Sequence, residues 1–192
     1  MTITGISHGR HRGFFRISGK ILLSLLITSL FLTAPAEAAK HRKKAVTSYS
    51  YSCTIIRVSD GDTVKCLGSD RKAHKIRLKN IDAPEKSQQY GQQSGGYLRG
   101  LVLRKKVSVT TFGTDRYGRE LSVIHVNGIN VNQKMVESGN AWAFRRYLSG
   151  NDARIYTGLE ASARKNRRGL WKYPNPMEPS VYRHSKKAKR GK

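Results

Sequence analysis

Five short segments with an alternating or β-branched pattern are the feature that most limits the fold of this chain. They are residues 54–58, 63–67, 73–78, 106–111 and 120–126. Alternation of apolar and polar residues is typical of half-buried strands, because successive side chains of a strand point to opposite faces. The sequence therefore predicts a small β-structure built from five strands.

Helical patterns interrupt and follow these strands. Residues 87–103 carry apolar positions on one helical face, although each glycine in this segment weakens a helix by roughly 1 kcal/mol relative to Ala. Further helices are predicted for residues 130–138, ending at Gly139, and from a cap at Asp152 through Ala163 towards Gly169. The predicted fold is α+β: a five-stranded Greek-key β-barrel of the OB type with about three helices.

Acidic residues are few in this chain and are clustered. There are 37 Lys and Arg residues against 12 Asp and Glu. Four of the five acids between residues 60 and 85 lie at the two ends of this short window: Asp60, Asp62, Asp82 and Glu85. Asp60-Gly61 is a strong hairpin signal, since both residues tolerate the positive φ of such turns. Pro84 favours an extended conformation in the residue before it, which predicts that Asp82 and Glu85 lie at the exit of a strand.

If this strand exit lies beside the hairpin, the carboxylates converge without a nearby His or Cys. Oxygen ligands of this kind suit Ca²⁺ or Mg²⁺ rather than zinc or copper. Arg77, on the strand that leads to the exit, would add a fixed cation beside the ion. The alternative is that the Asp-Gly pair is an ordinary turn and that the segment from Asp82 to Glu85 merely caps a helix.

The order of these motifs resembles the thermonuclease, or staphylococcal-nuclease-like, family. The resemblance covers about residues 52–173. It includes three motifs in the family's order: Asp60-Gly61-Asp62-Thr63-Val64, Arg77 followed by Asp82-Ala83-Pro84-Glu85, and Asp115-Arg116-Tyr117-Gly118-Arg119. No single motif is specific, but their combination is. The resemblance implies the same OB-type barrel and a Ca²⁺-dependent nuclease.

By this resemblance, the acidic bends form a Ca²⁺ site. Asp62 and Asp82 are expected to bind the ion together with the main-chain carbonyl of Ala83. The family's archetype has Thr at the position of Ala83, and the change is expected to be tolerated because that position offers a backbone oxygen. Asp60 is expected to anchor the turn and to add negative potential near the ion.

The remaining motif residues are expected to act on the phosphodiester. Glu85 would orient or deprotonate the attacking water, and Arg77 and Arg119 would bind the phosphate, with which a guanidinium can form two parallel bonds. Three residues are expected to contact the substrate: Arg116, Tyr117 and Tyr147. The archetype carries a second tyrosine where this chain has Arg145, so contacts to base or phosphate are expected to differ. On its own, the turn before Arg119 also fits a solvated turn with surface arginines.

The first residues of the chain have the layout of a secretory signal peptide. A basic lead precedes an apolar stretch at residues 21–33 and small residues in an A-x-A arrangement at residues 34–39. The apolar stretch is shorter than the ~20 residues of a spanning helix, which disfavours the alternative of a permanent membrane anchor. We therefore expect residues 1–38 to direct export, to a periplasm or out of the cell.

Four regions are predicted along the chain. The signal peptide (1–38) precedes a basic linker (39–51), a nuclease-like OB-fold domain (52–173) and a disordered basic tail (174–192), where prolines and a run of charges argue against packing. Without residues 1–38, the chain keeps 33 Lys and Arg and 11 Asp and Glu, a net charge of +22. This excess favours DNA and/or RNA as the partner, or alternatively an anionic membrane or cell wall.

Cys53 and Cys66 are the two cysteines of the chain, and they flank the predicted hairpin. Export favours a disulfide between them. In a simple hairpin register they share a face but lie diagonally, so a bulge or a strong local twist is needed for the bridge. Two separate buried thiols are the alternative.

The sequence thus predicts a secreted, monomeric nuclease with little sequence specificity. The alternative is a catalytically inactive secreted module that binds nucleic acid or another polyanion. The acids argue against this alternative, because a domain that only binds phosphate has no need of carboxylates that face it. The sequence contains no nucleophilic triad, phosphate-cradling glycine loop or His-based metal motif.

Overall fold

A computed structural model of the protein describes residues 48–190. The predicted signal peptide, and the predicted linker up to residue 47, lie outside the described residues. Within residues 48–190, no helix is long and apolar enough to cross a membrane. This part of the chain contains eight strands, four α-helices and two short 3₁₀ helices.

The strands form a closed barrel. In chain order they are β1 (Tyr49–Val58), β2 (Thr63–Gly68), β3 (Ala73–Leu78), β4 (Ile81–Asp82), β5 (Lys106–Thr114), β6 (Glu120–Val126), β7 (Ile129–Asn130) and β8 (Trp142–Ala143). The five long strands pair antiparallel in the order β3-β2-β1-β5-β6. β3 also pairs with β6 in parallel, which closes the sheet. The predicted five-stranded barrel of the OB type is confirmed.

Apolar side chains that alternate along these strands fill the barrel. Five of them have no exposed surface: Ile55, Val64, Ile76, Val109 and Ile124. Because every second side chain of a barrel strand points inward, the alternation in the sequence marks the core. Burial of each such side chain contributes about 1.5–3 kcal/mol to stability.

β1 begins at Tyr49, within the segment predicted to be a linker. Residues 49–54 pair with residues 106–111 of β5, so the predicted linker boundary at residue 51 is wrong. The hydroxyl of Tyr51 donates to Glu120 of β6, and the ring of Tyr49 stacks on that of Tyr51. Pairing with β5 therefore extends β1 beyond the predicted strand.

Three helices were expected, and all three are present with shifted ends. They are α1 (Gly91–Val102), α2 (Val131–Glu137) and α3 (Gly150–Lys165). α1 starts later than predicted because Tyr90, just before it, has a left-handed backbone with φ of 68°. α3 starts before Asp152, which therefore lies in its first turn rather than at its cap. Gly139, with φ of 71°, follows α2 as predicted.

A fourth helix occupies most of the predicted tail. α4 spans Pro179–Arg190, so the prediction of disorder is wrong for these residues. Pro179 is the first helical residue, a position at which proline is favoured because its missing N–H would have had no helical partner. Tyr182 and Arg183 hydrogen-bond to the body of the domain and hold the helix there.

β1 and β2 carry the two cysteines. The register places Cys53 opposite Gly68 and Cys66 opposite Ile55, as a simple hairpin predicts. A β-bulge between Ile55 and Arg57 interrupts this register, and the two cysteines form a disulfide with their Cα atoms 5.8 Å apart. This separation is ordinary for a disulfide.

Candidate active site

The turn between β1 and β2 presents Asp62 at one end of the barrel. Asp60 Oδ1 accepts a hydrogen bond from the backbone N–H of Asp62 at 3.0 Å, and Thr63 Oγ1 donates to Asp62 Oδ1 at 3.0 Å. Gly61 is required here, because a Cβ at this position would lie 1.9 Å from Ser94 Oγ of α1. The turn therefore packs directly on α1, and Asp62 is buried.

A two-stranded ladder holds Asp82 beside this turn. In the pairing of β4 with β8, Asp82 lies opposite Trp142 and is buried. The next residue, Ala83, donates its backbone N–H to Asp62 Oδ2 at 2.9 Å. The two acidic bends therefore meet, as a shared cation site requires.

Arg77, at the end of β3, ties the two carboxylates together. Its Nη2 lies 3.0 Å from Asp62 Oδ2 and 3.0 Å from Asp82 Oδ1. Its Nη1 donates to the carbonyl oxygens of Leu78 and Ile81 at 2.6 and 2.8 Å. Hydrogen bonds to Asp82 and to the two carbonyls use three of the five N–H groups of the guanidinium, and Asp62 faces Nη2 as an ion pair. The residue is only 8% exposed. Arg77 therefore fixes the acids and has few donors left to offer to a phosphate.

Glu85 lies on the rim, after Asp82. Its backbone N–H donates to Gln88 Oε1 at 3.1 Å, and its carbonyl accepts from the backbone N–H of Gln88 at 2.8 Å. Gly91, the first residue of α1, permits this loop to lie close, since a Cβ there would be 1.9 Å from the carbonyl oxygen of Glu85. The Glu85 side chain is 37% exposed, against 9% for Asp62 and 4% for Asp82. It is the acid of this group that solvent reaches.

The turn between β5 and β6 brings Arg119 to the same end of the barrel. Asp115 Oδ2 holds its guanidinium, accepting from Nε at 2.8 Å and lying 2.7 Å from Nη2. Arg119 Nη1 donates to Thr63 Oγ1 at 3.4 Å, which links it to Asp62. Burial would raise the pKa of Asp115, but the hydrogen bonds from Arg119 and from the backbone of the turn lower it.

Aromatic side chains lie at the exposed edge of the site. The ring of Tyr117 faces the guanidinium groups of Arg116 at 4.8 Å and Arg119 at 5.6 Å. Tyr147 is also exposed and meets Phe144 edge-on, with ring centres 4.6 Å apart. The ring of Phe144 in turn faces the guanidinium of Arg77. Exposed rings next to arginines are suited to stacking on bases.

Burial disfavours the ionised forms of Asp60 and Asp82. Burial and the neighbouring charge of Asp62 raise the pKa of Asp60 to about 6. The pKa of Asp82 is also raised, because burial outweighs the opposing effects of Arg183 and Arg77. Additional positive charge near these acids would stabilise their ionised forms.

Arg183 of α4 also reaches this site, a contact that the sequence does not predict. Its Nη1 and Nη2 donate to Asp82 Oδ1 and Oδ2 at 3.1 and 2.8 Å, and Nη1 also donates to Glu85 at 2.9 Å. The sequence signal for the Arg183 contact is Pro179, which favours a helix start where a disordered tail was predicted.

Among residues 48–190, no three His, Cys, Asp or Glu side chains are grouped as a metal site.

The structure brings together the residues expected at the centre of the site: Asp62, Arg77, Asp82, Ala83, Glu85 and Arg119. Asp60 supports this group through the backbone of the turn. Arg116 and Tyr117 are connected to it through Arg119, and Tyr147 through Phe144.

Comparisons with known proteins agree on one family. Residues 75–173 match the model of the family described as staphylococcal nuclease homologue. An uncharacterized endonuclease of Haemophilus influenzae is 40% identical over 163 residues, which cover 85% of this chain and 86% of that protein. An uncharacterized endonuclease of Escherichia coli is 46% identical over 133 residues, which cover 69% of this chain and 84% of that protein. A micrococcal nuclease of Shigella flexneri is 39% identical over 142 residues, which cover 69% of this chain and 80% of that protein.

The family match covers just over half of the 192 residues. It includes Arg77, Asp82, Glu85 and Arg119, and it extends from within β3 through β8 and includes the first three α-helices. Sequence similarity and architecture therefore lead to the same result. The protein belongs to the staphylococcal nuclease homologue family.

Proposed function

We propose that this protein is a Ca²⁺-dependent endonuclease that hydrolyses phosphodiester bonds of DNA and/or RNA with little sequence specificity. One observation carries the proposal: Asp62 and Asp82, from two distant bends, meet on the guanidinium of Arg77. Glu85 and Arg119 lie beside them. The nuclease names of the relatives support the same reaction class.

Asp62 and Asp82 would hold the ion, together with the main-chain carbonyl of Ala83. This donor set is made of oxygen alone, which hard cations such as Ca²⁺ prefer. Both carboxylates are buried and lie within 3.0 Å of one nitrogen atom, so their oxygens are close to one another. The residues therefore fit such an ion. When bound, Ca²⁺ would neutralise negative charge on a non-bridging phosphate oxygen.

Glu85 would orient the attacking water or accept its proton. It suits this role because its carboxylate is more exposed than those of Asp62 and Asp82, and general bases of this kind contribute about 10²–10⁴-fold to a rate. Arg119 would bind the phosphate, since Asp115 fixes the plane of its guanidinium. Arg77 would act mainly as a positioning residue for the two buried acids.

Contacts of this kind predict weak sequence preference. Phosphate contacts position a nucleic acid but carry no base information. Arg116, Tyr117 and Tyr147 would add stacking or backbone contacts at the edge of the site, and stacking is tolerant of base identity. Unpaired or frayed strands should therefore be cut most readily.

The test of this function is cleavage by two variants with matched controls. Glu85→Gln and Arg119→Ala should each lower the rate of DNA cleavage by at least about 100-fold while the circular dichroism spectrum stays unchanged. Glu137→Gln and Arg99→Ala make the same changes away from the site and should leave the rate within about twofold. Undiminished turnover in either site variant would contradict the assigned role.

The cofactor and the substrate are tested with the same protein. Cleavage of single- and double-stranded DNA and RNA should stop in chelator and return when Ca²⁺ is added. Recovery with Mg²⁺ but not with Ca²⁺ would replace the proposed ion, and full activity in chelator would remove the metal from the proposal.

A polyanion-binding module without activity is the second candidate. It is favoured by Arg183, which pairs with Asp82 and Glu85 and so neutralises the acids that hydrolysis needs. Binding of DNA with no cleavage in any divalent cation, unchanged in Glu85→Gln, would support this candidate over the enzyme.

We further propose that the protein is exported and acts as a monomer. The disulfide between Cys53 and Cys66 supports an oxidising compartment. Mass spectrometry of the secreted or periplasmic protein should find an N-terminus near residue 39, and light scattering should give the mass of one chain. An intact N-terminus on the active protein would contradict export by cleavage.

A further inference from the structure

Helix α4 is attached to the loop between β4 and α1. The hydroxyl of Tyr182 donates to the carbonyl of Ser87 at 2.8 Å, and Lys186 Nζ donates to Ser87 Oγ at 2.8 Å. Ahead of the helix, the carbonyl of Met177 accepts from Gln88 Nε2 at 2.7 Å. These polar contacts hold the segment on the loop that carries Glu85.

Arg183 extends from this helix onto the acids of the candidate site. Its guanidinium forms a bidentate salt bridge with Asp82, at 3.1 and 2.8 Å, and donates to Glu85 Oε1 at 2.9 Å. Bidentate salt bridges of this kind are stronger than hydrogen bonds between neutral groups. Asp82 is buried, so the pair is also less screened by solvent than a surface ion pair.

The oxygens that Arg183 engages are those needed for the proposed reaction. Asp82 Oδ1 accepts from both Arg77 and Arg183, and Asp82 Oδ2 accepts from Arg183. A divalent cation bound to Asp82 would meet a guanidinium of like charge at hydrogen-bond distance from the same oxygens. Binding of the ion therefore requires Arg183 to withdraw, and so does access of a water molecule to this oxygen of Glu85.

The positive charge of α4 indicates that a nucleic acid can displace this helix from the acids of the site. Pro179–Arg190 contains six Lys, Arg and His residues after Tyr182 and no acidic residue. A nucleic acid attracts such a segment by its phosphates and releases counterions when it is bound. Substrate would thus compete with the acids for the same helix.

We propose that α4 is an autoinhibitory element: Arg183 covers the cation-binding oxygens of Asp82 and the carboxylate of Glu85 until Ca²⁺ and nucleic acid displace it. This inference rests on the proposed function, since it concerns the same acids. The apparent affinity for Ca²⁺ is then reduced by the fraction of molecules in which the helix is released.

Calorimetric titration of the full chain with Ca²⁺ alone, in the absence of nucleic acid, tests the proposal. Arg183→Gln should lower the Kd for Ca²⁺ by at least about tenfold. Tyr182→Phe changes no charge but removes the bond to Ser87, and should lower the Kd by a smaller factor. Lys187 lines a cleft of about 360 Å³ together with Glu85 and Arg183, and forms no hydrogen bond or ion pair to the described residues. Lys187→Gln should therefore stay within about twofold.

Hydrogen exchange supplies a readout that does not depend on cleavage. Ca²⁺ should increase exchange of the α4 amides in the wild-type chain, and Arg183→Gln should show faster α4 exchange before any ion is added. An unchanged or weaker Ca²⁺ affinity in Arg183→Gln would overturn the proposal, as would equal tightening in Lys187→Gln. If Glu85→Gln still abolishes cleavage in that case, the proposed function stands. Absence of Ca²⁺ binding in every variant would overturn both.

Discussion

Replacement of Arg77 by Met tests whether one buried guanidinium holds the two acidic bends together. Methionine is close to arginine in length but cannot donate a hydrogen bond. The variant loses the ion pairs with Asp62 and Asp82 and the bonds to two carbonyl oxygens. Asp82 keeps its pair with Arg183. Asp62 is left with neutral donors only, which are the backbone N–H of Ala83 and the hydroxyl of Thr63.

The expected loss of stability follows from these contacts. Breaking a buried pair by removal of one partner costs about 3–5 kcal/mol, because a buried charge remains uncompensated. Since Asp82 keeps its ion pair with Arg183, we expect Arg77→Met to lower the free energy of unfolding by about 3–4 kcal/mol. This is a large part of the roughly 5–15 kcal/mol by which a domain is stable.

Urea unfolding followed by circular dichroism in chelator measures this change. Arg57→Met is the matched control, because Arg57 is an exposed strand residue and its replacement should cost no more than about 0.5 kcal/mol. In the Arg77→Met background, Asp62→Asn removes the uncompensated charge and should restore at least about 1 kcal/mol. If the free energy of unfolding falls by less than about 1 kcal/mol in Arg77→Met, or equally in the control, Arg77 does not hold the two acidic bends together.

Three further predictions concern residues that shape the site or the barrel. Gly91→Ala should cost about 1–3 kcal/mol and lower cleavage, because its Cβ would collide with the loop that carries the proposed base; Gly96→Ala, in the same helix with open space around it, should be neutral or stabilising by up to about 1 kcal/mol. Similar behaviour of the two variants in unfolding and cleavage assays would contradict the close-approach argument. Reduction of the disulfide between Cys53 and Cys66, which are 13 residues apart, should lower the free energy of unfolding by about 3 kcal/mol; unchanged urea midpoints with and without reductant would speak against it. Asn132→Ala should cost about 2–3 kcal/mol, because this buried side chain bonds to three backbone groups, and a loss within about 0.5 kcal/mol would show that water replaces those bonds.

The barrel could be predicted because its signals are local. β3 and β6 have the bounds that alternation predicted, and the Asp60-Gly61 turn lies between β1 and β2. The sequence pattern places the beginning of β1 in the linker, although Tyr and Ser alternate there, because its partner β5 lies far along the chain. The helix at the C-terminus was hidden by its composition, since a run of positive charges resembles a solvated tail.

The candidate site was predictable in its membership and not in its contacts. The residue types and their order were enough to select Asp62, Asp82 and Glu85. Their spacing did not show that Arg77 spends most of its donors on the acids and on carbonyls rather than on a phosphate. It also did not reveal Arg183, which is 101 residues from Asp82 in the sequence.

The sequence by itself determined the strand pattern, the turns that end the strands, and which acids and arginines are available, because these depend on neighbouring residues. Tertiary structure alone decided how close the two acidic bends come. That approach relies on the missing side chains of Gly61 and Gly91 and on closure of the barrel between β3 and β6. It also decided that α4 packs against the acids, since a buried carboxylate such as Asp82 is stabilised by a cation that the fold places next to it, here Arg183.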